Sequence, residues 1–299
     1  MATQIAGTEV IRRSLVAARI GRDGVTVLWD AVGTVPGTVR LFFGQGTTPQ
    51  VFAPDGGAGC ALPLDLRDIS GCTMVTLGAG AGPLRIALAA GLPVEVAPGP
   101  DDCALFDGLN SILAFRIEET AAQVAEGLVY HALHHGLQAA LIVNRLPDDG
   151  SFAAGLTAAL QGVALRVVLV DCPQPTGKAG QGPENHVFLA PDAPGKDRMT
   201  PPDADPWRAP LGEGILYEAL KWRFLARARA VLTLDVTDVL GGRPKGTPDA
   251  FDQCVAAPNG VLLLVGRRIY PWRVRAGQDA GFGDHICRQF DGRRGIARW

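Results

Sequence analysis

No two of the six cysteines stand in a Cys-x-x-Cys pair, which removes the commonest zinc modules from consideration. Scattered at positions 60, 72, 103, 172, 254 and 287, they outline no disulfide framework either. A dominant charge of one sign is also missing. With a formal net charge of −2, the chain as a whole is not drawn to nucleic acid or to an anionic membrane surface. No apolar run approaches the ~20 residues of a bilayer-spanning helix. The opening ten residues lack a basic stretch followed by a long apolar run, so no signal peptide is expected, and a soluble, cytoplasmic protein is. No internal repeat is visible.

The glycine signatures of nucleotide folds are incomplete as well. Gly78-Ala-Gly80-Ala-Gly82-Pro83 follows a strand-like run, but Pro83 occupies the third glycine position and no long amphipathic helix follows. It reads as a turn between strands. Gly177-Lys178 is not a phosphate loop, because Cys172 stands where the first glycine belongs and Ala179 where the hydroxyl residue belongs.

What remains is the grammar of a folded chain, 47% hydrophobic and 19% charged, with enough core for one large domain or two modest ones. Its first third alternates short β-type runs with Gly and Pro: Gly24–Asp30, Val39–Phe43, Cys60–Asp65, Cys72–Leu77 and Leu84–Leu88. Such spacing predicts a small antiparallel β domain over residues 1–98, sandwich-like or else barrel-like, with the proline-bearing stretch 93–100 as linker. From Asn110 strands and helices alternate. Strands are expected at 111–115, 139–144, 165–171, 231–235 and 261–265, with helices at 119–135, 152–161, 213–230 and 249–256. Near-continuous apolar strands alternating with helices predict a parallel sheet with helices on its faces. The Pro- and Gly-rich stretch 172–212 reads as a long loop, and the Arg-rich close of the chain as irregular.

The strand that opens Val231-Leu-Thr-Leu-Asp235-Val-Thr-Asp238 is the most informative run. Open α/β sheets deliver acids to a ligand crevice at strand carboxyl ends. Hard cations such as Mg²⁺ and Mn²⁺ take oxygen ligands, commonly one or two carboxylates with substrate phosphates completing the shell. Asp235 and Asp238 are therefore candidate metal ligands; the alternative is a strand end whose Asp caps a turn, with Asp238 solvated. His131 and His135 share a helix face four residues apart, but no carboxylate or cysteine accompanies them. The expected role is packing, with His131 bonded to a backbone group. Asp148 and Asp149 before Gly150 read as a turn.

Taken together, Glu119…Gly127-Leu-Val-Tyr130-His131…Gly136, Ala140-Leu-Ile-Val-Asn144, Asp148-Asp149-Gly150-Ser151 and Lys221…Ala230-Val-Leu-Thr-Leu-Asp235-Val-Thr237-Asp238 resemble glycosyltransferases of the family 2-like and family 92-like kind. The resemblance covers residues 110–299. It implies a GT-A fold over residues 99–299, a doubly wound, mostly parallel sheet, with a nucleoside-diphosphate sugar donor, a glycan acceptor such as a surface polysaccharide, and Mn²⁺ or Mg²⁺. Its metal motif is Asp-x-Asp, commonly followed by Glu; here Thr237 replaces the second Asp and Asp238 the Glu. The motif's Asn-Glu after the first strand falls within Arg116-Ile-Glu118-Glu119, where the acid is kept and the Asn is not. On this basis Asp235 and Asp238 are expected to hold the metal. Glu119, Asn144, Asp148, Asp149 and Lys221 are expected around the nucleotide, with Arg267 or Arg273 supporting the diphosphate. Asp284 is the candidate base for an inverting transfer and His285 the second choice. A GT-A module that binds nucleotide sugar or glycan without transferring anything is the alternative.

Overall fold

A first strand, β1 (Glu9–Ser14), precedes an antiparallel β-structure of eight strands: β2 (Ala18–Arg19), β3 (Thr26–Thr34), β4 (Thr38–Phe43), β5 (Pro49–Phe52), β6 (Pro63–Ile69), β7 (Cys72–Gly78), β8 (Leu84–Leu88) and β9 (Val94–Val96). The computed structural model describes residues 5–19, 26–34, 37–44, 47, 49–52, 63–69, 71–78, 83–88, 94–146, 148–176, 207, 210–242, 246–271 and 285–297. After β9 come β10 (Asn110–Arg116), α1 (Ala121–His135), β11 (Ala139–Asn144), α2 (Ser151–Ala159) and β12 (Arg166–Asp171). Then follow α3 (Pro210–Leu220), β13 (Ala230–Thr233), α4 (Ala250–Ala256), β14 (Leu264–Pro271) and β15 (His285–Ala297). The chain is thus an α/β protein with a parallel sheet and separate antiparallel β-structure. Its two units interleave along the sequence: residues 1–13, 106–172 and 227–299 form one, and residues 14–105 and 173–226 the other.

In the second of these units the strands make two antiparallel sheets, ordered β2-β3-β4-β7-β6 and β5-β8-β9. Leu28, Leu41, Phe43, Val75 and Leu77 from one sheet share a core with Leu84, Ile86 and Val96 from the other. Two antiparallel sheets thus share one apolar core. Helix α3 packs on β3, β4 and β7, burying Ile215, Leu216, Ala219 and Leu220. The helix expected to run from 213 to 230 straight into a strand therefore behaves differently. It passes into a π-helical turn, Lys221–Leu225, and stops.

That turn delivers Arg223, 3% exposed, to Asp30 on β3, which is fully buried. The guanidinium Nη1 donates to both carboxylate oxygens, at 2.9 and 3.1 Å, and the Val16 N–H donates to Oδ1 at 2.9 Å. Burial pushes the Asp30 carboxyl up, against the pull of Arg223. Gly99 leaves room for the guanidinium, since a Cβ there would lie 2.9 Å from Arg223 Nη2.

The other unit carries the five-stranded sheet, ordered β1-β12-β11-β10-β13. β10 pairs in parallel with β11 and with β13, and β11 with β12. The Glu9 N–H donates to the Leu165 carbonyl, while Arg12 further along β1 reaches Asp171 at the far end of β12. Strand β11 is buried throughout, as a strand covered on both faces should be. One face packs Ile112, Ala114, Ala140, Ile142, Val167 and Leu169 against Val124 and Leu128 of α1 and Phe152 and Leu156 of α2. Helix α1 begins with a capping box, Thr120 with Gln123, and ends at Gly136, whose φ of 70° suits glycine. β13 is reached only after the chain leaves α3: Gly108 bonds the Arg227 carbonyl and Arg229 bonds the Leu109 carbonyl, drawing residues 227–229 alongside the start of β10. The close of the chain, expected to be irregular, is instead the antiparallel pair β14–β15, and the strand expected at 261–265 starts at Leu264. Among the described residues no helix is long and apolar enough to cross a membrane.

Removing one partner of a buried ion pair strands the other charge. Asp30→Asn is therefore expected to lower stability by about 3–5 kcal/mol. Gly99→Ala, which pushes on a guanidinium already held by Asp30, is expected to cost about 1–3 kcal/mol. Urea unfolding midpoints of the two variants against the parent test both values.

Candidate active site at the carboxyl edge of the parallel sheet

β10, β11 and β12 follow one another outward, whereas β13 returns to the opposite side of β10. The strand order thus reverses between β10 and β13, and open α/β sheets bind ligands in the crevice at such a point. The register Leu113↔Thr233 puts Asp235 two residues past the end of β13. There the chain turns: the Asp238 N–H donates to the Asp235 carbonyl at 2.9 Å, and Asp238 Oδ2 accepts from the Asp235 N–H at 3.3 Å. Both acids line one small cleft with Ala114, Gly127, His131 and Leu234. Asp238 is exposed as a residue, and the Asp235 N–H engages its carboxylate. Desolvation there, and then the charge of Asp235, raise its pKa.

The rest of the edge is a chain of charge-assisted hydrogen bonds across three strand ends. Arg116, closing β10, donates to Asn144 Oδ1 at 2.6 Å. Asn144, closing β11 and fully buried, donates to Asp171 Oδ1 of β12 at 3.2 Å. Asp171 Oδ2 accepts from Arg12 at 2.7 Å. Arg116 also stacks on Phe152, 4.0 Å from the ring centroid, and donates to the Glu119 carbonyl at 2.8 Å. The Glu119 carboxylate accepts from the N–H groups of Ile117 and Glu118, at 2.8 and 3.1 Å. It thereby shapes the loop that follows β10.

Asp148 and Asp149 form the expected turn and serve α2, whose N-cap Gly150 has no side chain to offer. Asp148 Oδ1 accepts from Phe152 N–H at 3.1 Å and Asp149 Oδ1 from Ser151 N–H at 2.9 Å. The Ser151 bonds hold the Asp149 carboxyl below its ordinary range. Asp148 also lies 4.0 Å from Arg12.

Six of the residues singled out from sequence therefore meet at this edge: Glu119, Asn144, Asp148, Asp149, Asp235 and Asp238. Lys221 belongs to the other unit, where its ammonium pairs with Glu218 at 3.1 Å. Arg267 and His285 are placed by backbone only, in β14 and β15. Arg273 and Asp284 lie outside the described residues. Among the described residues no group of three or more His, Cys, Asp or Glu side chains is arranged to hold a metal. Arg12 and Asp171 were missed as edge residues: Asp171 ends an obvious strand, but nothing in the isolated run around Arg12 marks a strand of a distant sheet.

His131 has the backbone partner expected of it, and a second one. Its Nδ1 lies 2.7 Å from the Gly127 carbonyl and its Nε2 accepts from the Leu240 N–H at 3.2 Å. The ring is thus neutral with Nδ1 as donor, and burial pulls its pKa down to about 4. An unfolded chain takes up this proton near the ordinary value of about 6.5, the folded one only near 4. Stability should fall as pH drops through that window, by on the order of 3 kcal/mol in all. Urea midpoints measured from neutral pH down to about 4 should show this slope in the parent and a shallower one in His131→Gln.

No protein-family model matches the chain, and no curated protein matches it.

Proposed function

We propose that the carboxyl edge of the parallel sheet is a metal-assisted nucleoside-diphosphate-sugar site of GT-A type, and that the protein transfers the sugar to a glycan acceptor. The observation that carries this reading is the convergence of Asp235 and Asp238 on one cleft at the strand-order reversal. A carboxyl raised in pKa partly by its acidic neighbour is relieved by a cation, and Mg²⁺ or Mn²⁺ accepts two protein carboxylates with diphosphate oxygens supplying the remainder. Two carboxylates, those of Asp235 and Asp238, are what the described residues would offer such an ion.

Asp235 and Asp238 would hold the cation, which when bound supplies electrostatic stabilisation of the departing diphosphate. Asn144 and Asp148, on the neighbouring strand end and turn, would face the nucleoside. Their present bonds to Arg116, Asp171 and Phe152 keep them oriented. Arg267 or Arg273 would neutralise phosphate charge. In an inverting transfer Asp284 would accept the proton of the attacking hydroxyl, with His285 as the other candidate.

One observation favours a second reading, a module that binds nucleotide sugar or glycan without chemistry. Asp238 spends an oxygen on the Asp235 amide, and Thr237 stands where the resemblance places a further acid.

Thermal unfolding with UDP or GDP, each with and without Mn²⁺, separates the two. Sugar transfer predicts a nucleotide stabilisation that needs Mn²⁺, about 2.7 kcal/mol at a hundredfold excess over Kd, and that Asp235→Asn abolishes. Stabilisation indifferent to metal favours the silent module. No response to either nucleotide overturns both.

A further inference from the structure

Strand β6 closes its sheet: it pairs with β7 and, among the described residues, with no other strand. A strand in that place turns a row of backbone N–H and C=O groups outward, a template for pairing with another chain. Pro63 and the register shift between Pro63 and Asp65 blunt only its start. The side chains beyond are unusual for an edge. Leu64 and Leu66 are 67% and 62% exposed. Asp65 and Arg67 meet on one face of the strand, where Arg67 Nε donates to Asp65 Oδ2 at 2.7 Å. Successive strand residues alternate in direction, so Leu66 projects from the other face.

We infer that β6 is a self-pairing edge, which joins antiparallel to β6 of a second copy of this chain about a two-fold axis at Leu66. Charge selects that register. Directly opposed residues of an antiparallel pair share a face, so a two-fold axis normal to the sheet must set one residue against its own copy. Centres that overlap more than half of β6 lie at residues 65, 66 and 67. A centre at Asp65 opposes two carboxylates, and one at Arg67 opposes two guanidinium groups; like charges so placed are destabilising. The centre at Leu66 engages all seven residues of the strand. It packs Leu66 on Leu66 and sets each Asp65 opposite Arg67 of the other copy. The exposed ion pair within one strand is thereby exchanged for two pairs across the axis. Edge charges commonly repel a second strand, but the alternation of sign here makes them attractive in one register. The two copies of the sheet β2-β3-β4-β7-β6 then run on as one. None of this depends on the sugar-transfer reading.

The test is the oligomeric state of the full chain, followed by sedimentation equilibrium from micromolar concentrations upward, with circular dichroism and thermal unfolding to check the fold. The parent should show a monomer–dimer equilibrium. Asp65→Arg and, separately, Arg67→Asp oppose like charges on both sides of the axis. Each should weaken dimerisation by about 10–100-fold. The double variant D65R/R67D restores opposite pairs and should recover much of the parental affinity. An equimolar mixture of the two single variants should form mixed dimers more readily than either variant dimerises alone. A parent that stays monomeric throughout overturns the inference. So do dimers indifferent to both single reversals, or a double variant that associates no better than the singles. Should one single variant not fold, the other, compared with the double variant, decides.

Discussion

Because β10 is paired in parallel on both sides, with β11 and with β13, the strand ends that matter all emerge at one edge of one sheet. Parallel pairing needs long crossovers, and those crossovers place α1 and α2 on the same face. From this single constraint follow the position of Arg116 beside Asn144, that of Asn144 beside Asp171, and the emergence of Asp235 opposite the loop shaped by Glu119. Without β13 on the far side of β10 there would be no reversal of strand order. The two acids would then lie on an ordinary connecting loop.

The two units handle charge in contrasting ways. In the β unit, Asp30 and Arg223 are sealed from water and paired with each other, and burial offsets much of what their attraction gains. At the sheet edge, Arg12, Asp171, Asn144 and Arg116 form a linked series whose outer members reach solvent. Such a series fixes the buried Asn144 between partners that reach solvent. Asp235 and Asp238 depart from both patterns, since like charges are brought together.

The strands of the parallel sheet were legible because their apolar runs are continuous and their helices carry clear signals, Thr120 at the start of α1 and Gly136 at its end. Strand β7 was legible from Cys72, Met74, Val75 and Leu77, which are all buried. What stayed hidden was long-range: β1 has no strong pattern of its own and is stabilised by pairing with β12, far along the chain. The length of the helix before β13 was overestimated because Lys221–Leu225 has helical composition, while its end is set by the tertiary bonds of residues 227 and 229. At the site, residue types were readable and their partners were not. Tyr130 and His131 stood out as a pair, yet that both bond the backbone of Leu240 depends on a loop whose path no periodicity encodes.

The buried pair in the β unit has a consequence for biogenesis. Asp30 and Arg223 are separated by 193 positions, and at ribosomal speeds of about 5–20 residues per second the arginine arrives about 10–40 s after the aspartate. During that interval β3 cannot be enclosed with its carboxylate ionised, so the nascent sheets must stay open at that point or hold Asp30 protonated. Completion of the sandwich is thereby tied to translation of the second half of the chain, and interrupted synthesis before Arg223 leaves an exposed apolar sheet for chaperones to shield.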